Sequence, residues 1–384
     1  MNKPYRQLSS FYFFYFAALG AFVPYWSVYL EKLNYSAPEI GELMAVFMLG
    51  KLIAPITWGW IVDHYGQRLI WIRRAGWLSI ASLLPLFWFS ANAYWVMFVT
   101  LGLFGFFWNA ALPQYEALTL NHLAEQKDRY ARIRLWGSIG FIATALGLSI
   151  PLEYYDTNAL PIILIILLLF NLATTGLIDD KDHSLCQHTD EHGLWVLLST
   201  PKIYGLLIAS TLHTMAHGAY YTFYSIHLAD LGYSAIAIGS LWSLGVLAEV
   251  VLFLALHKIV DRFNITILFI LSLIIATLRW IALALVTDST TLLILIQLLH
   301  AATYGLFHAT AIQHIHHWFP KHLQGMGQAL YAGLSFGLGG ALGGLLSGYL
   351  WNSTSPLVTF LAMAVCAITA VIVASVFMLK KVED

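Results

Sequence analysis

Lys51, Glu249 and Arg279 lie in the middle of long apolar runs, and Glu116 and Arg134 lie within two others, nearer their ends. Charge at such positions is expensive in hydrocarbon. It is kept where it binds an ion or ligand, relays a proton, or pairs with another charge to lock helices together. A cation there can hold a carboxylate, and a carboxylate there can take up and release a proton. Histidines join them. His213 and His217 are one helical turn apart, and His300, Tyr304 and His308 fall at i, i+4 and i+8, one face of a helix. Imidazole titrates near neutral pH, so a row of histidines beside a Glu and an Arg is a candidate proton-handling set. A lone histidine is more simply a hydrogen bonder between helices.

The elements that must position these residues are helices crossing a bilayer. Of 384 residues 59% are apolar and 10% are charged, against roughly 25% charged in a soluble domain. This excludes a water-soluble enzyme, a disordered chain and a nucleic-acid binder, and the net charge of −1 implies no polyanionic partner. A crossing helix needs about 20 mostly apolar residues. Twelve such runs are expected: 9–30, 38–61, 71–90, 94–117, 134–151, 159–178, 202–229, 235–257, 264–286, 289–313, 324–350 and 356–379. The first starts close to the N-terminus and lacks a clean small-residue cleavage site, so it is expected to be a retained helix. The one long polar connection, 179–200, divides the chain into expected six-helix halves, 1–178 and 201–384. With the N-terminus in the cytoplasm, sixteen of the 19 Lys and Arg fall on the cytoplasmic side; Lys32 alone falls opposite, and Lys51 and Arg279 are mid-span. That asymmetry puts both termini and the central loop in the cytoplasm. Cys186 and Cys366 lie in a polar stretch and an apolar run, an arrangement that implies no disulfide framework.

The halves resemble each other. Residues 20–41, GAFVPYWSVYLEKLNYSAPEIG, align without a gap on 218–239, GAYYTFYSIHLADLGYSAIAIG, with ten of 22 positions identical. The same offset carries Ile61-Val62-Asp63 onto Ile259-Val260-Asp261, and Lys51 onto Glu249. Six spans separate the copies, so this is a parallel repeat about an axis along the membrane normal, with a binding site expected between the halves near the midplane. No phosphate-binding loop is present: Gly50-Lys51 lacks both the upstream glycine and the following Ser or Thr. Energy is therefore expected from a gradient.

Gly59-Trp-Ile-Val-Asp63-His-Tyr-Gly66-Gln-Arg68 resembles the G-x-x-x-D-x-x-G-x-R loop signature of the major facilitator superfamily, where the glycines permit a tight turn. The second copy keeps Asp261 and Arg262 without the glycines. The resemblance implies an all-α integral membrane protein, with twelve helices in two pseudo-symmetric six-helix bundles. Glu116, and Arg134 followed by Leu-Trp136-Gly137, look like the sugar-binding Glu and Arg-x-aromatic-Gly of the lactose permease. Glu249, Arg279 and His300 match its Glu, Arg and His, which bind substrate or couple protons. Thr303 stands where that permease has a Glu, and Gln297 where it has a Lys, so Glu249, Glu116, His300 and His308 all remain candidate proton sites. The bacterial 3-phenylpropionate permease group is more similar. It shares Pro24-Tyr-Trp26-Ser, His217-Gly-Ala-Tyr-Tyr221, Leu241-Trp-Ser-Leu-Gly245 with Glu249 following, Arg279-Trp280, and Gln297 through His300 to His308.

This resemblance implies a proton-coupled symporter of the bacterial inner membrane, acting as a monomer, with no cofactor or metal and with the proton as coupling ion. Its substrate is expected to be a small aromatic acid such as 3-phenylpropionate, or else a nucleoside or oligosaccharide. Lys51, Glu116, Arg134, Trp136, Tyr221, Arg279, Trp280 and His300 are expected to face substrate. Glu249, His300 and His308 are expected to handle the proton, and Gly59, Asp63, Gly66, Arg68 and Asp261 to form the loop motif. A passive facilitator is the second reading. A membrane enzyme is the third, since His213-x-x-x-His217 and His314-x-His316-His317 resemble desaturase histidine clusters. The repeat and the embedded first pair count against it. Glycines 333, 337, 339, 340, 343, 344 and 348 mark the eleventh run for close helix packing or, alternatively, a flexible gate. Reporter fusions within 179–200 and at the C-terminus are expected to report cytoplasm, and fusions at 352–355 periplasm; a periplasmic central loop would overturn the two-half arrangement.

Overall fold

The computed structural model describes residues 3–123, 129–154, 157–178, 196–285 and 289–379, and they are helical with no strand among them. Apolar runs in a membrane must satisfy every backbone N–H and C=O internally, and helices do this within one segment. The helices are α1 (Lys3–Lys32), α2 (Ala37–Tyr65), α3 (Arg68–Leu83), α4 (Tyr94–Leu123), α5 (Tyr130–Tyr154), α6 (Leu160–Thr175), α7 (Pro201–Ala216), α8 (Gly218–Asp230), α9 (Ala235–Val260), α10 (Ile265–Leu285), α11 (Thr290–Leu298), α12 (Phe307–Trp318), α13 (Gln324–Ala332), α14 (Gly340–Ser353) and α15 (Pro356–Met378). Wide π-type turns, Ala301–Leu306 and Gly333–Gly339, join α11 to α12 and α13 to α14. Large apolar side chains lie on the outside, among them Ile56, Trp88 and Leu254 at 63%, 74% and 71% exposure. A lipid-facing surface is expected to be of this kind. The central polar connection lies largely outside the described residues.

Eleven helical rods among the described residues are long and apolar enough to cross a bilayer. The run expected as the seventh crossing is two shorter helices, α7 and α8, broken at His217. There the backbone tightens, and the His217 N–H turns back to Thr214 O and Met215 O. Gly218 follows in contact with the backbone of Gly343, so no side chain fits between the two strands of chain. Gly339 makes a similar close approach to Thr211 and Thr214. These glycines are packing positions, as small residues between membrane helices usually are.

The contacts divide the chain into two compact units, one of Met1–Cys186 with Tyr221–Ser243 and the other of Gln187–Tyr220 with Leu244–Asp384. In the first, α1 packs on α5 and α6, α2 on α4, and α3 on α4 and α6. Its core is aromatic: Phe22, Trp26, Phe47, Phe104 and Trp108 are buried in mutual ring contact on α1, α2 and α4. In the second, α7 packs on α15 and on the wide turn Gly333–Gly339. There α10 packs on α15, on α12 and on the wide turn Ala301–Leu306.

The sequence repeat is a structural repeat at the level of hydrogen bonds. Asn34 (φ 66°) and Gly232 (φ 83°) occupy the same left-handed position 198 residues apart. Asn34 N–H donates to Glu31 O and Tyr35 N–H to Leu30 O; Gly232 N–H donates to Ala229 O and Tyr233 N–H to Leu228 O. The loop after α2 turns through Gly66 (φ 64°) and Gln67 (φ 56°). The second copy has Asn264 in place of Gly66, and its helix α9 ends three residues earlier, at Val260. A left-handed turn without glycine is disfavoured.

Candidate functional site

In the second unit a cluster forms around Arg279 on α10, whose side chain has no exposed surface. Its Nε donates to the Ile296 carbonyl at 3.2 Å, NH2 to Gln297 Oε1 at 2.8 Å, and NH1 to Thr303 Oγ1 at 3.0 Å. NH1 also lies 3.2 Å from His300 Nδ1. The guanidinium stacks 4.4 Å from the Tyr220 ring and 4.8 Å from Trp280, both cation–π distances. Tyr220 in turn donates to Gln297 Oε1 at 3.2 Å. All three nitrogens of this planar fork are engaged, a geometry a lysine could not reproduce.

The protonation pattern of the neighbouring rings follows from these partners. Arginine has no acceptor, so His300 Nδ1 receives and the ring proton is on Nε2. That nitrogen is 4.0 Å from Glu249 Oε2 on α9. Arg279, His300 and Glu249 thus form a chain of cation, neutral relay and carboxylate. Beyond it the rings of His300 and Tyr304 stack at 5.5 Å and 11°, and those of Tyr304 and His308 at 6.3 Å and 15°. The expected shared face is therefore a ladder, ending where His308 Nδ1 meets the Tyr331 hydroxyl at 3.1 Å. Trp280 is buried against His217 and Tyr220.

The first unit holds a looser pair. Arg134 Nε on α5 is 3.9 Å from Glu116 Oε1 on α4, and the side chains are 33% and 36% exposed. Tyr130 is hydrogen-bonded to Glu116, and the Arg134 guanidinium lies 3.9 Å over Phe16. Gly137 makes room for both: a Cβ there would sit 2.7 Å from the Phe16 ring and 2.8 Å from Arg134. Lys51 on α2 is half-buried, with no hydrogen bond or ion pair among the described residues. Trp136 does not join the pair. It is two residues from Arg134, hence across the helix, and its Nε1 donates to Tyr5 Oη at 3.2 Å. Tyr221 stacks on Trp242, whose Nε1 donates to Ser225.

In the loop motif, Arg68 NH1 donates to Gln114 Oε1 at 2.6 Å, tying α3 to α4, and Gly59 lies beside the same glutamine. Asp63 and Asp261 are exposed, and among the described residues the Asp63 side chain caps no helix and meets no cation. The histidines at the end of α12 have separate partners: His314 meets Thr266, His316 meets Gln324 and Gln328, and His317 bonds Gln313 O. No metal-holding group of three or more ligands occurs among the described residues.

A sequence model described as the MFS_1 like family matches residues 5–362. The chain belongs to this family of the major facilitator superfamily. It is similar to the probable 3-phenylpropionic acid transporter of Escherichia coli (strain K12), with 28% identity over 368 residues covering 95% of this chain and 96% of the relative. It is similar also to the maltose permease of Geobacillus stearothermophilus, with 26% identity covering 94% of this chain and 92% of that one. The solved structure of the nucleoside transporter NupG superposes with a TM-score of 0.83 over 99% of this chain and 100% of that one, at 17% identity, a likeness of fold. The protein is thus a multi-pass membrane transporter of the major facilitator type and not an enzyme.

Three members of the transporter's Arg279 cluster, Tyr220, Gln297 and Thr303, were not among the expected site residues. Helical spacing carries the signal for two of them. Tyr220 follows His213 and His217 at i+7 and i+3, and Gln297 precedes His300 by three. The two arginines are expected to differ in what a lysine does to them. Arg279→Lys strands buried acceptors and is expected to cost about 2–4 kcal/mol, a fall of several degrees in thermal unfolding of detergent-purified protein. Arg134→Lys, a third exposed, is expected to cost under about 1 kcal/mol. Equal losses would contradict this division.

Proposed function

We propose that the protein is a proton-coupled symporter that imports a small organic acid by alternating access, with 3-phenylpropionate as the first candidate substrate. The reading takes the chain as twelve crossings in two six-helix halves, 1–178 and 201–384, in a bacterial inner membrane, with both termini and the 179–200 loop cytoplasmic. It takes the functional unit as the monomer, uses no cofactor, and has the proton as coupling ion.

The Arg279–His300–Glu249 chain is the observation that carries it. A symporter needs a group that is protonated in one state of its cycle and ionised in another. His300 is poorly suited, because its free nitrogen faces the Arg279 guanidinium and a second proton there would oppose that charge. Glu249 faces the Nε2–H of His300 and is a carboxylate at low exposure, so that donor favours its ionised form, which can take up a proton from the aqueous side when the contact opens. Proton and substrate then share one linkage: if protonation raises substrate affinity, substrate raises proton affinity by the same factor. Glu249→Gln, a fixed mimic of the protonated form, is expected to abolish uptake driven by a pH gradient in proteoliposomes while keeping substrate counterflow. Continued uphill accumulation would move the proton to His300, His308 or Glu116. Loss of both activities would make Glu249 a binding or structural residue. A wild-type protein that equilibrates substrate but never accumulates it would be the passive facilitator.

Substrate class is supported by the 28% identical relative named for 3-phenylpropionic acid, and by Lys51, a cation with no partner among the described residues and hence available to a carboxylate. A hydroxyl-rich substrate is the second reading; it is favoured by the Glu116–Arg134 pair, which keeps a third of its surface open. Lys51→Gln separates the two. Losing a charged hydrogen bond of about 1.5–3 kcal/mol is expected to weaken 3-phenylpropionate binding roughly ten- to a hundredfold, with a neutral amide analogue weakened under about twofold. Equal loss for both ligands would make Lys51 structural.

A further inference from the structure

The wide turn Ala301–Leu306 needs a donor that its own helix withholds. In an α-helix the Phe307 N–H would donate to the carbonyl of Thr303, four residues back. Here it turns to Ala302 O and Tyr304 O, which leaves the Thr303 carbonyl without its usual donor. His213 on α7 supplies one, with Nε2 2.7 Å from Thr303 O. On the other wide turn, Gly333–Gly339, the adjacent residue adds a second donor: Thr214 Oγ1 lies 2.6 Å from Ser335 O, which also receives the Gly340 N–H. Two consecutive side chains of one helix hold a carbonyl of each turn. A carbonyl only accepts, so the single ring proton of neutral His213 is on Nε2. Its Nδ1 is buried without a partner among the described residues, and the ring packs 4.0 Å from Phe307.

We propose that His213 is a positioning residue, whose hydrogen bond to Thr303 keeps the Ala301–Leu306 turn wide and thereby keeps Arg279, His300 and Glu249 in register. Thr303 is gripped twice, at its carbonyl by His213 and at its hydroxyl by Arg279. The register is visible where this rod faces α9. Gly245 on α9 lies against His300, and Gly305 lies against Glu249. Four residues separate 245 from 249, but five separate 300 from 305. One extra residue per turn is what a π-type turn inserts. Without it, one side of the rod rotates by about 100°, the angle per residue of an α-helix, and 300 and 305 cannot both face α9. The bearing on transport rests on the reading proposed above. The register itself does not, and it is tested without substrate.

Two cysteine pairs report it, in protein with Cys186 and Cys366 changed to serine. A Cβ at Gly245 would be 3.5 Å from the His300 Cβ, within disulfide range. A Cβ at Gly305 would be 3.1 Å from Glu249 Cγ, where the sulfur of a cysteine at 249 would stand. G245C/H300C and E249C/G305C are expected to oxidise readily with His213 present, and equally with H213Q, whose amide N–H reaches as far as Nε2. With H213L, which has no donor, and with H213N, whose amide falls short of Thr303, one pair is expected to be lost and the other kept. Formation of both pairs in H213L or H213N at the parent rate would overturn the proposal. So would failure of either pair in the parent, loss of a pair in H213Q, or loss of both pairs in the donor-less proteins. Should H213L not fold, H213N and H213Q decide by the same outcomes.

Discussion

Arg279 carries a full charge with no exposed surface, inside a bundle whose outside is hydrocarbon. A buried charge is tolerated only when hydrogen bonds and opposing dipoles surround it, and much of the second unit supplies them. Gln297, Thr303, the Ile296 carbonyl and His300 take the donors, and Tyr220 and Trp280 cover the faces of the plane. These partners come from α10, α11, α8 and the wide turn between α11 and α12. The guanidinium therefore sets which residues of several helices must face one point, and Glu249 meets the cluster at His300.

The first unit solves a different problem. Its core is a stack of aromatic rings that needs no charge, and its Glu116 and Arg134 keep about a third of their surface open at a separation of 3.9 Å. Such a pair contributes little to stability and so is free to exchange partners. Lys51 has no hydrogen bond or ion pair among the described residues. The units thus differ: Arg279 is fully buried with all three nitrogens engaged, while Arg134 is a third exposed. The chain belongs to a transporter family. That family also explains why relatives named for 3-phenylpropionic acid and for maltose share its length and architecture: a fold fixes where helices run, while a few side chains choose the cargo.

The wide turns show how close the packing of α7 is to the register of its neighbours. A break at His217, glycine contacts at Gly218, Gly339 and Gly343, and side-chain bonds from His213 and Thr214 all fall within two turns of one helix. Elements that adjust by one residue are a recurrent way for packed helices to hold two discrete arrangements, and this transporter holds two of them by adjacent side chains.

Much of this was legible in the residues. Apolar runs of crossing length define the helices because hydrocarbon leaves the backbone no other partner. The 198-residue repeat predicted a matched helix–turn–helix, and the hydrogen bonds around Asn34 and Gly232 agree with it. The resemblance grouped Glu116 with Arg134, and Glu249 with His300 and Arg279, and the structure brings each group together. The rest lay beyond helical spacing. Regular periodicity treats the seventh run as one rod, yet Gly218 against Gly343 and the tightened backbone at His217 divide it. The resemblance singled out Tyr221; the ring over Arg279 is that of its neighbour Tyr220. Periodicity drew His300, Tyr304 and His308 on one face, where their rings do stack, but not the wide turn that runs through them. Those outcomes turn on which carbonyl finds which donor across helices far apart in sequence. Only the packed structure decides that, because a single displaced hydrogen bond changes the register of everything beyond it.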